Sequence, residues 1–253
     1  MATNMASAAS TLVAVFLTCV AVLLGLPFLI LWTWLAGNPD LMYRTSMKFC
    51  RFAIRLVGIR VRVEGIENIP SGACIFAANH ASNLDAPILF PAIPRRISVL
   101  AKRELFGLPV LGLGMRLAGF VAVDRAGKQA GSGVAAAVST LKDGLSVFIF
   151  PEGTRSRDGR LQPFKTGAFV TAIEAGVPIV PVAIAGTHRL LPRDKWVVHS
   201  GQVVVRFGPA VDTSAYAANQ RAKLLARVET LVGAALPLDQ KPDQQPAPPV
   251  SIP

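Results

Sequence analysis

The 253-residue sequence predicts an α/β fold in which helices cover a mixed, largely parallel sheet, behind a hydrophobic membrane-anchoring helix and a basic amphipathic helix. Three observations predict this architecture. Residues 1–39 contain no charged side chain. Four cations at helical spacing follow that stretch. From residue 58 onward, short apolar runs alternate with helical stretches, a pattern typical of sheets covered on both faces.

The apolar run over residues 8–35 is the predicted anchor. As a helix it would be about 40 Å long, which exceeds the ~30 Å hydrocarbon core of a bilayer. A cleaved signal peptide fits poorly, because the run is too long and no basic residue precedes it. Gly25 and Pro27 indicate either a kink or a segment that dips into one leaflet. A single span and a re-entrant anchor therefore both remain open.

A basic helix is predicted over residues 41–57. Arg44, Lys48, Arg51 and Arg55 follow one another at spacings of four, three and four residues, which places them along one helical face. We interpret this helix as interfacial, with its cations at the lipid headgroups. The alternative is a solvated basic face on a helix that packs against the domain. Cations directly after the apolar run also indicate that the remainder lies at the cytoplasmic face of the inner membrane.

The chain divides into a membrane anchor with its basic helix over residues 1–57, an α/β domain over 58–236, and a tail over 237–253. Within the domain, Ile59, Val61 and Val63 alternate with polar residues, as in a half-exposed strand. Further strands are predicted at 74–78, 97–101, 120–123, 146–150, 179–184 and 203–207. Helices are predicted at 105–117, 129–142, 166–175 and 215–236. The tail is rich in proline and glutamine and lacks periodicity, so it is predicted to be disordered.

The formal net charge of +11 and the pI near 10.3 predict an anionic partner. Nucleic acid, acidic metabolites and a phospholipid surface would all fit. The mean hydropathy of +0.47 and the low aromatic content favour the membrane over nucleic acid. The sequence contains no GxSxG, GxxxxGK[ST] or HExxH motif, so neither a covalent acyl-enzyme nor a metal mechanism is supported.

His80 and Asp85 are the first candidate catalytic residues. His80 follows the apolar run 74–78, and Asp85 precedes Pro87, which is typical of the first turn of a helix. A bend between strand and helix would let the carboxylate reach the imidazole. Such a pair acts as a general base, because the carboxylate fixes the tautomer and stabilises the cation. The alternative is a histidine satisfied in a turn beside an aspartate that caps a helix.

Polar residues also follow other predicted strands, and the carboxyl ends of parallel strands are where open α/β sheets bind ligands. The most specific group is Glu152, Gly153, Thr154 and Arg155, in which glycine permits a tight turn and arginine can bind phosphate. The alternative for this group is a turn with a surface salt bridge. Lys165 fits either a phosphate contact or an ordinary lysine at a helix start. The other groups at strand ends are Lys102 with Glu104 and Asp124 with Arg125.

Two boxes carry a family resemblance. Asn79-His80 with Asp85 resembles the NHxxxxD box of the glycerolipid acyltransferases, and residues 150–156 resemble their FPEGTRS box. Residues 102–105, 123–125 and 177–182 are similar to the blocks between and after these boxes. The resemblance covers roughly residues 59–208 and is strongest to the members that acylate lysophosphatidic acid.

The resemblance implies transfer of a fatty acyl group from an acyl thioester to the sn-2 hydroxyl of lysophosphatidic acid, which gives phosphatidic acid. It implies His80 as the base, Asp85 as its orienting partner, and acyl-CoA or acyl carrier protein as the donor substrate, with no cofactor and no metal. The resemblance also implies that the acceptor is bound by Glu152, Gly153, Thr154 and Arg155. It implies Arg125 and Lys102 at the acceptor phosphate.

Two alternatives are kept. The first is an acyltransferase for another lysolipid, such as lyso-ornithine lipid or another lysophospholipid, with the same His80–Asp85 chemistry. The second is a membrane protein that binds anionic lipids without turnover. Net charge alone would also allow a nucleic-acid binder, which predicts salt-sensitive DNA or RNA binding. No nucleic-acid partner is predicted from the motifs.

Overall fold

The computed structural model describes residues 2–123 and 130–242. The apolar run forms one continuous helical rod, in which α1 (Ala2–Val20) passes through a π-helical turn (Ala21–Gly25) into α2 (Leu26–Ala36). The π turn ends where Pro27 enters the first turn of α2. Proline lacks the N–H of a regular helical hydrogen bond, and a π turn accommodates that local break without ending the helix. We call this unit the N-terminal rod.

The N-terminal rod lies along the surface of the domain. At one end, Thr11 is buried and its Oγ1 accepts a hydrogen bond from the backbone N–H of Val198, 3.0 Å away. At the other end, α2 contacts the segment around Gly114, where an added Cβ atom would lie 3.4 Å from the side chain of Leu26. In the described part of the chain, Ser7–Ala36 is one helix long and apolar enough to cross a membrane.

The basic helix is present as α3 (Asp40–Leu56). It contacts both halves of the N-terminal rod and buries Met42, Tyr43 and Ile54. The four predicted cations are all exposed, as the helical spacing requires. The helix also exposes Phe52, which is 53% accessible. Thus α3 packs on the domain and still presents a basic and partly apolar face outward.

The described residues form a seven-stranded sheet with the order β1-β7-β6-β2-β5-β3-β4. Neighbouring strands are parallel except for the antiparallel pair β6 and β7, which confirms the predicted mixed, largely parallel sheet. Every predicted strand is present. The strands are β1 (Ile59–Glu64), β2 (Ile75–Ala78), β3 (Ile97–Lys102), β4 (Val121–Val123), β5 (Ser146–Ile149), β6 (Ile179–Ala185) and β7 (Gly201–Phe207).

Helices cover both faces of the sheet. Successive residues of β2 show this, since Phe76 belongs to the core cluster on one face and Ile75 to the cluster on the other. Both side chains are fully buried. The covering helices are α4 (Asp85–Ala92), α5 (Pro109–Leu117), α6 (Ala130–Lys142), α7 (Gly167–Ala175), the short α8 (Thr187–Leu190) and α9 (Arg221–Ala235).

Two predicted helices differ from the observed ones. The stretch 105–117 is divided, because a 3-10 turn (Arg103–Gly107) precedes α5 and Leu108 between them is extended at φ −74° and ψ 121°. The residue before a proline disfavours helical angles, and Pro109 follows here. The stretch 215–236 becomes helical later, since α9 begins at Arg221 after a 3-10 turn (Ala218–Gln220). The four-residue α8 was not predicted.

The ordered chain continues beyond the predicted start of the tail at Pro237. Leu238–Gln240 forms a 3-10 turn, and Gln240 is only 1% exposed. The side-chain oxygen of Gln240 accepts the backbone N–H of Gly186 at 2.9 Å, and its backbone oxygen accepts the N–H of Leu161 at 2.9 Å. Composition indicated disorder, but one buried amide holds this segment on the domain. Residues 243–253 of the predicted tail lie outside the described residues.

Candidate active site

His80 and Asp85 form a direct hydrogen bond. The Nδ1 atom of His80 lies 2.8 Å from Oδ2 of Asp85, whose side chain is fully buried. The imidazole keeps 18% of its side-chain surface exposed. Because Nδ1 is occupied by the carboxylate, Nε2 is the nitrogen that can accept a proton. The predicted bend between strand and helix therefore brings the two residues together.

The loop between β2 and α4 fixes this pair through backbone contacts. Oδ2 of Asp85 also accepts the backbone N–H groups of Ala81 at 2.7 Å and Ser82 at 2.8 Å. The Asn79 side chain continues the strand pairing, since it accepts the N–H of Ile184 at 2.8 Å and donates to its carbonyl at 3.0 Å. These bonds satisfy buried polar groups where the ladder between β2 and β6 ends. The loop is consequently rigid without a contribution from the imidazole.

The segment after β5 holds His80 from the other side. The Phe150 ring stacks on the imidazole, with centroids 3.9 Å apart and 14° between the planes. The backbone N–H of His80 donates to Oε1 of Glu152 at 2.9 Å, and the backbone N–H of Ser156 donates to the His80 carbonyl at 2.8 Å. Two segments that are distant in sequence therefore define the position of the imidazole.

Glu152 is buried behind the histidine. It is 3% exposed, and this burial raises the pKa of its carboxyl group to about 8, with the nearby Asp85 charge acting in the same direction. Sequence analysis predicted Glu152 among the residues that bind the acceptor. In the structure its Oε1 accepts the backbone N–H of His80, so the carboxyl group supports the backbone that carries the imidazole. A contact of Glu152 with the acceptor stays a prediction.

A cleft of about 740 Å³ opens beside His80. Its polar end contains His80, Lys102, Gly153 and Lys165. The remainder is largely apolar and runs between the sheet, α5 and α7, with Phe90, Leu100, Leu111, Met115, Phe120 and Val134 among its walls. An apolar cleft with a base and cations at one end suits an amphiphile that carries a hydroxyl group and a negative charge.

The residues that were predicted to bind the acceptor do not all line the cleft. Lys102 lines the cleft and forms an ion pair with Glu104 at 3.1 Å. Arg155 does not line it, because its Nη1 donates to the backbone oxygen of Arg193 at 3.0 Å. Thr154 is exposed and also lies outside the cleft lining. Arg125 lies outside the described residues.

Lys165 is the cation that sequence reasoning left undecided. Its Nζ lies directly over Gly153, where a Cβ atom would come within 2.8 Å of it. Gly153 has a φ of +74°, a backbone conformation that favours glycine. The backbone N–H of Lys165 donates to the Pro151 carbonyl at 2.9 Å. Across residues 2–123 and 130–242, Lys165 forms no ion pair, so its charge is available to a ligand.

The described residues contain no group of three or more His, Cys, Asp or Glu side chains that could hold a metal ion. The polar end of the cleft therefore consists of one histidine–carboxylate pair and lysine side chains. That set can remove a proton from a hydroxyl group and bind an anion close to it.

The chain is similar to known acyltransferases. The family model described as acyltransferase matches residues 60–185. A chloroplastic 1-acyl-sn-glycerol-3-phosphate acyltransferase of Brassica napus is 34% identical over 68% of this chain, which spans about half (53%) of that relative. The 1-acyl-sn-glycerol-3-phosphate acyltransferase of Escherichia coli is 34% identical over 77% of this chain and 80% of its own length.

A solved structure is similar as well. The crystal structure of the 1-acyl-sn-glycerophosphate acyltransferase PlsC from Thermotoga maritima matches with a TM-score of 0.80 and 28% sequence identity. The match covers 92% of this chain and 97% of that structure. Because so much of the chain is covered, the similarity extends beyond the sheet into the N-terminal helices.

Proposed function

This chain belongs to the acyltransferase family, and from that premise we propose that it transfers a fatty acyl group from an acyl thioester to the sn-2 hydroxyl of lysophosphatidic acid. The product is phosphatidic acid. The observation that carries the proposal is the 2.8 Å contact between His80 and Asp85 at the polar end of an apolar cleft. Relatives from a bacterium and a plant are named for this reaction.

The proposed reaction needs no covalent enzyme intermediate. Nε2 of His80 takes the proton of the acceptor hydroxyl while the oxygen attacks the thioester carbonyl carbon. The C–O bond forms, the C–S bond breaks, and the leaving thiolate recovers the proton from the imidazolium. Asp85 holds the tautomer and stabilises the imidazolium between these steps.

Lys165 and Lys102 are the cations that we assign to the acceptor phosphate. Both line the polar end of the cleft with His80. Lysine binds phosphate as a point charge, and the phosphate of the acceptor lies only a few bonds from its sn-2 hydroxyl. The proposed role of Arg155 is indirect, since it is tied to Arg193 at the edge of the same loop. Arg125 remains a sequence-based proposal for this phosphate.

The apolar part of the cleft receives the acyl chains. Leu105 lines the cleft and is also 40% exposed at the surface, beside Leu108 at 49%. These leucines lie next to α5, which contacts α2 of the N-terminal rod. Lipid substrates therefore reach His80 from the same side of the protein that carries the apolar rod.

The N-terminal rod is proposed to lie in one leaflet at the cytoplasmic face of the inner membrane. Its exposed apolar side chains include Phe16, Leu24, Phe28 and Trp34. The rod contacts the domain near both ends, through Thr11 and through α2, so a perpendicular span would pull the domain into the hydrocarbon. This favours the re-entrant anchor, with the cations of α3 at the headgroups.

The donor is proposed to be acyl-CoA or acyl carrier protein, with no further cofactor. Thiol release by detergent-purified protein tests the reaction, with both donors and a panel of lysolipids. We expect turnover with lysophosphatidic acid that is lost in His80→Ala. Turnover confined to a different lysolipid would overturn the acceptor, and folded wild-type protein without any turnover would overturn the reaction.

A further inference from the structure

A second groove lies on the other side of α4 from the active site. It has a volume of about 480 Å³, lies between α3, β1 and α4, and shares no lining residue with the catalytic cleft. Apolar side chains form its floor, and three arginines line it. We call it the β1 groove and define it by Ile59, Val61, Val63, Ile88, Pro91, Arg51, Arg55 and Arg60.

The groove exists because the helical layer ends before the sheet does. β1 lies at one edge of the sheet and, among the described residues, pairs only with β7. Ile59 and Ile88 are buried, whereas Val61 remains 37% exposed and the adjacent Ile66 is 46% exposed. A trough of apolar surface is thus left open at the sheet edge, and open apolar troughs of this kind mark binding sites.

The arginines of the groove carry uncompensated charge. Arg51, Arg55 and Arg60 are exposed, and none of them forms an ion pair within the part of the chain that the structure describes. On the same strand, by contrast, Arg62 pairs with Glu64 at 2.8 Å. Guanidinium groups beside an apolar floor fit an anion that bears an apolar chain, because arginine binds phosphate oxygens in a bidentate manner.

We infer that the β1 groove binds an anionic phospholipid of the membrane, with its phosphate at the arginines and part of an acyl chain on the apolar floor. The choice of a membrane lipid rests on the surroundings of the groove. Phe52 and Leu56 of α3 are 53% and 38% exposed beside Arg51 and Arg55. The same helix contacts the N-terminal rod. The site is independent of the acceptor proposed for the catalytic cleft.

Helix α4 lies between the β1 groove and the catalytic cleft. Ala86 and Phe90 face the catalytic cleft, whereas Pro87 and Pro91 face the β1 groove. The helix itself begins at Asp85, the partner of His80. A lipid in the groove would therefore pack against the helix that carries the catalytic carboxylate.

Native mass spectrometry of the full chain in detergent tests the site. The probes are phosphatidylglycerol and phosphatidylcholine with the same acyl chains. The test variant is Arg51→Gln/Arg55→Gln/Arg60→Gln. The control Lys142→Gln/Lys223→Gln/Arg227→Gln removes the same charge from exposed positions outside the groove and outside α3. We expect the test variant to bind phosphatidylglycerol roughly 100-fold more weakly, the effect of losing three cations near an anionic lipid. The control should bind it like the wild type, and phosphatidylcholine should not distinguish the variants.

Two further arms identify the occupant. A photoreactive phosphatidylglycerol should label peptides from residues 51–66 or 87–92, and the label should decrease in the test variant. Glycerophosphoglycerol, which lacks the acyl chains, should compete poorly. Equal binding by the wild type and the test variant would overturn the site. Labelling confined to the catalytic cleft or the rod would do the same, and effective competition by the deacylated headgroup would replace the lipid with a soluble anion.

Discussion

Oδ2 of Asp85 accepts hydrogen bonds from both the imidazole of His80, at 2.8 Å, and the backbone N–H groups of Ala81 and Ser82. The backbone of the turn before α4 thus holds the carboxylate through two hydrogen bonds, and the imidazole adds a third. Removal of the imidazole should leave this turn intact. The catalytic and structural contributions of the pair can therefore be separated by mutation.

His80→Ala should lower kcat by about 10² to 10⁴-fold, the usual contribution of a general base. The melting temperature should change little, because the backbone of residue 80 keeps its bonds to Glu152 and Ser156. Thiol release measures the rate, and thermal unfolding measures the fold. His199→Ala, outside the catalytic cleft, is the matched control and should retain wild-type turnover. Near wild-type kcat in His80→Ala would contradict the assignment of the base.

Lys165→Ala should raise the KM for lysophosphatidic acid by roughly 10- to 100-fold, the effect of losing one hydrogen bond to a charged group. The kcat should change less, because the role that we propose for Lys165 is to bind the phosphate, whereas His80 accepts the proton. Lys165→Arg should restore part of the affinity. With monoacylglycerol, which lacks the phosphate, wild type and Lys165→Ala should be equal. An equal loss with both acceptors would instead indicate a structural role.

Glu152→Gln should change how stability depends on pH. Burial raises the pKa of Glu152 from 4.5 to about 8, so between these values the folded protein holds a proton that the unfolded chain releases. Folding stability from this group therefore falls as pH rises from about 4.5 to about 8. Glutamine lacks this proton, so the melting temperature of Glu152→Gln relative to wild type should increase from pH 5 to pH 8.

Glu174→Gln is the control for that series, since Glu174 is exposed. Its melting temperature relative to wild type should stay constant over the same pH range. A constant difference for Glu152→Gln as well would show that the Glu152 carboxyl group is ionised in the folded protein at neutral pH.

Gln240→Ala should destabilise the protein by about 1–3 kcal/mol, the cost of leaving buried groups unpaired. The amide of Gln240 contacts the backbone of Gly186 at 2.9 Å and of Gly159 at 3.4 Å. Leu238→Ala, two residues away and 83% exposed before the change, is the control and should be nearly neutral. Urea unfolding measures both variants. Wild-type stability in Gln240→Ala would show that the tail segment contributes nothing.

Sequence analysis was most successful where the determinants are local. Apolar runs, and one stretch of alternating residues for β1, predicted every strand of the sheet. The spacing between His80 and Pro87 placed the imidazole and the carboxylate on opposite sides of one bend. These features depend on a few consecutive residues. The pairing of the two boxes also followed, because parallel strands bring their carboxyl ends together.

The remaining differences arise from contacts between distant segments. Arg155 was predicted to bind phosphate because it is an arginine in a loop after a strand. Its guanidinium instead donates to the backbone of Arg193, 38 residues later, and this contact cannot be read from the local sequence. Lys165 was undecided because only the folded loop places Nζ over Gly153. Gln240 was assigned to a disordered tail, since its burial depends on α8 and on the loop around Gly159.

The pairing of β1 with β7 determines when the domain can be completed during synthesis. Glu64 and Arg206 lie opposite each other in this pair and are 142 residues apart in sequence. The N-terminal rod and α3 leave the ribosome long before β7 does, so β1 must wait for its partner. Long-range pairing of this kind forms slowly and leaves an open strand edge meanwhile. If the rod binds the bilayer as proposed, nascent chains would be held at the membrane before they can fold, which would keep their unpaired strand edges apart.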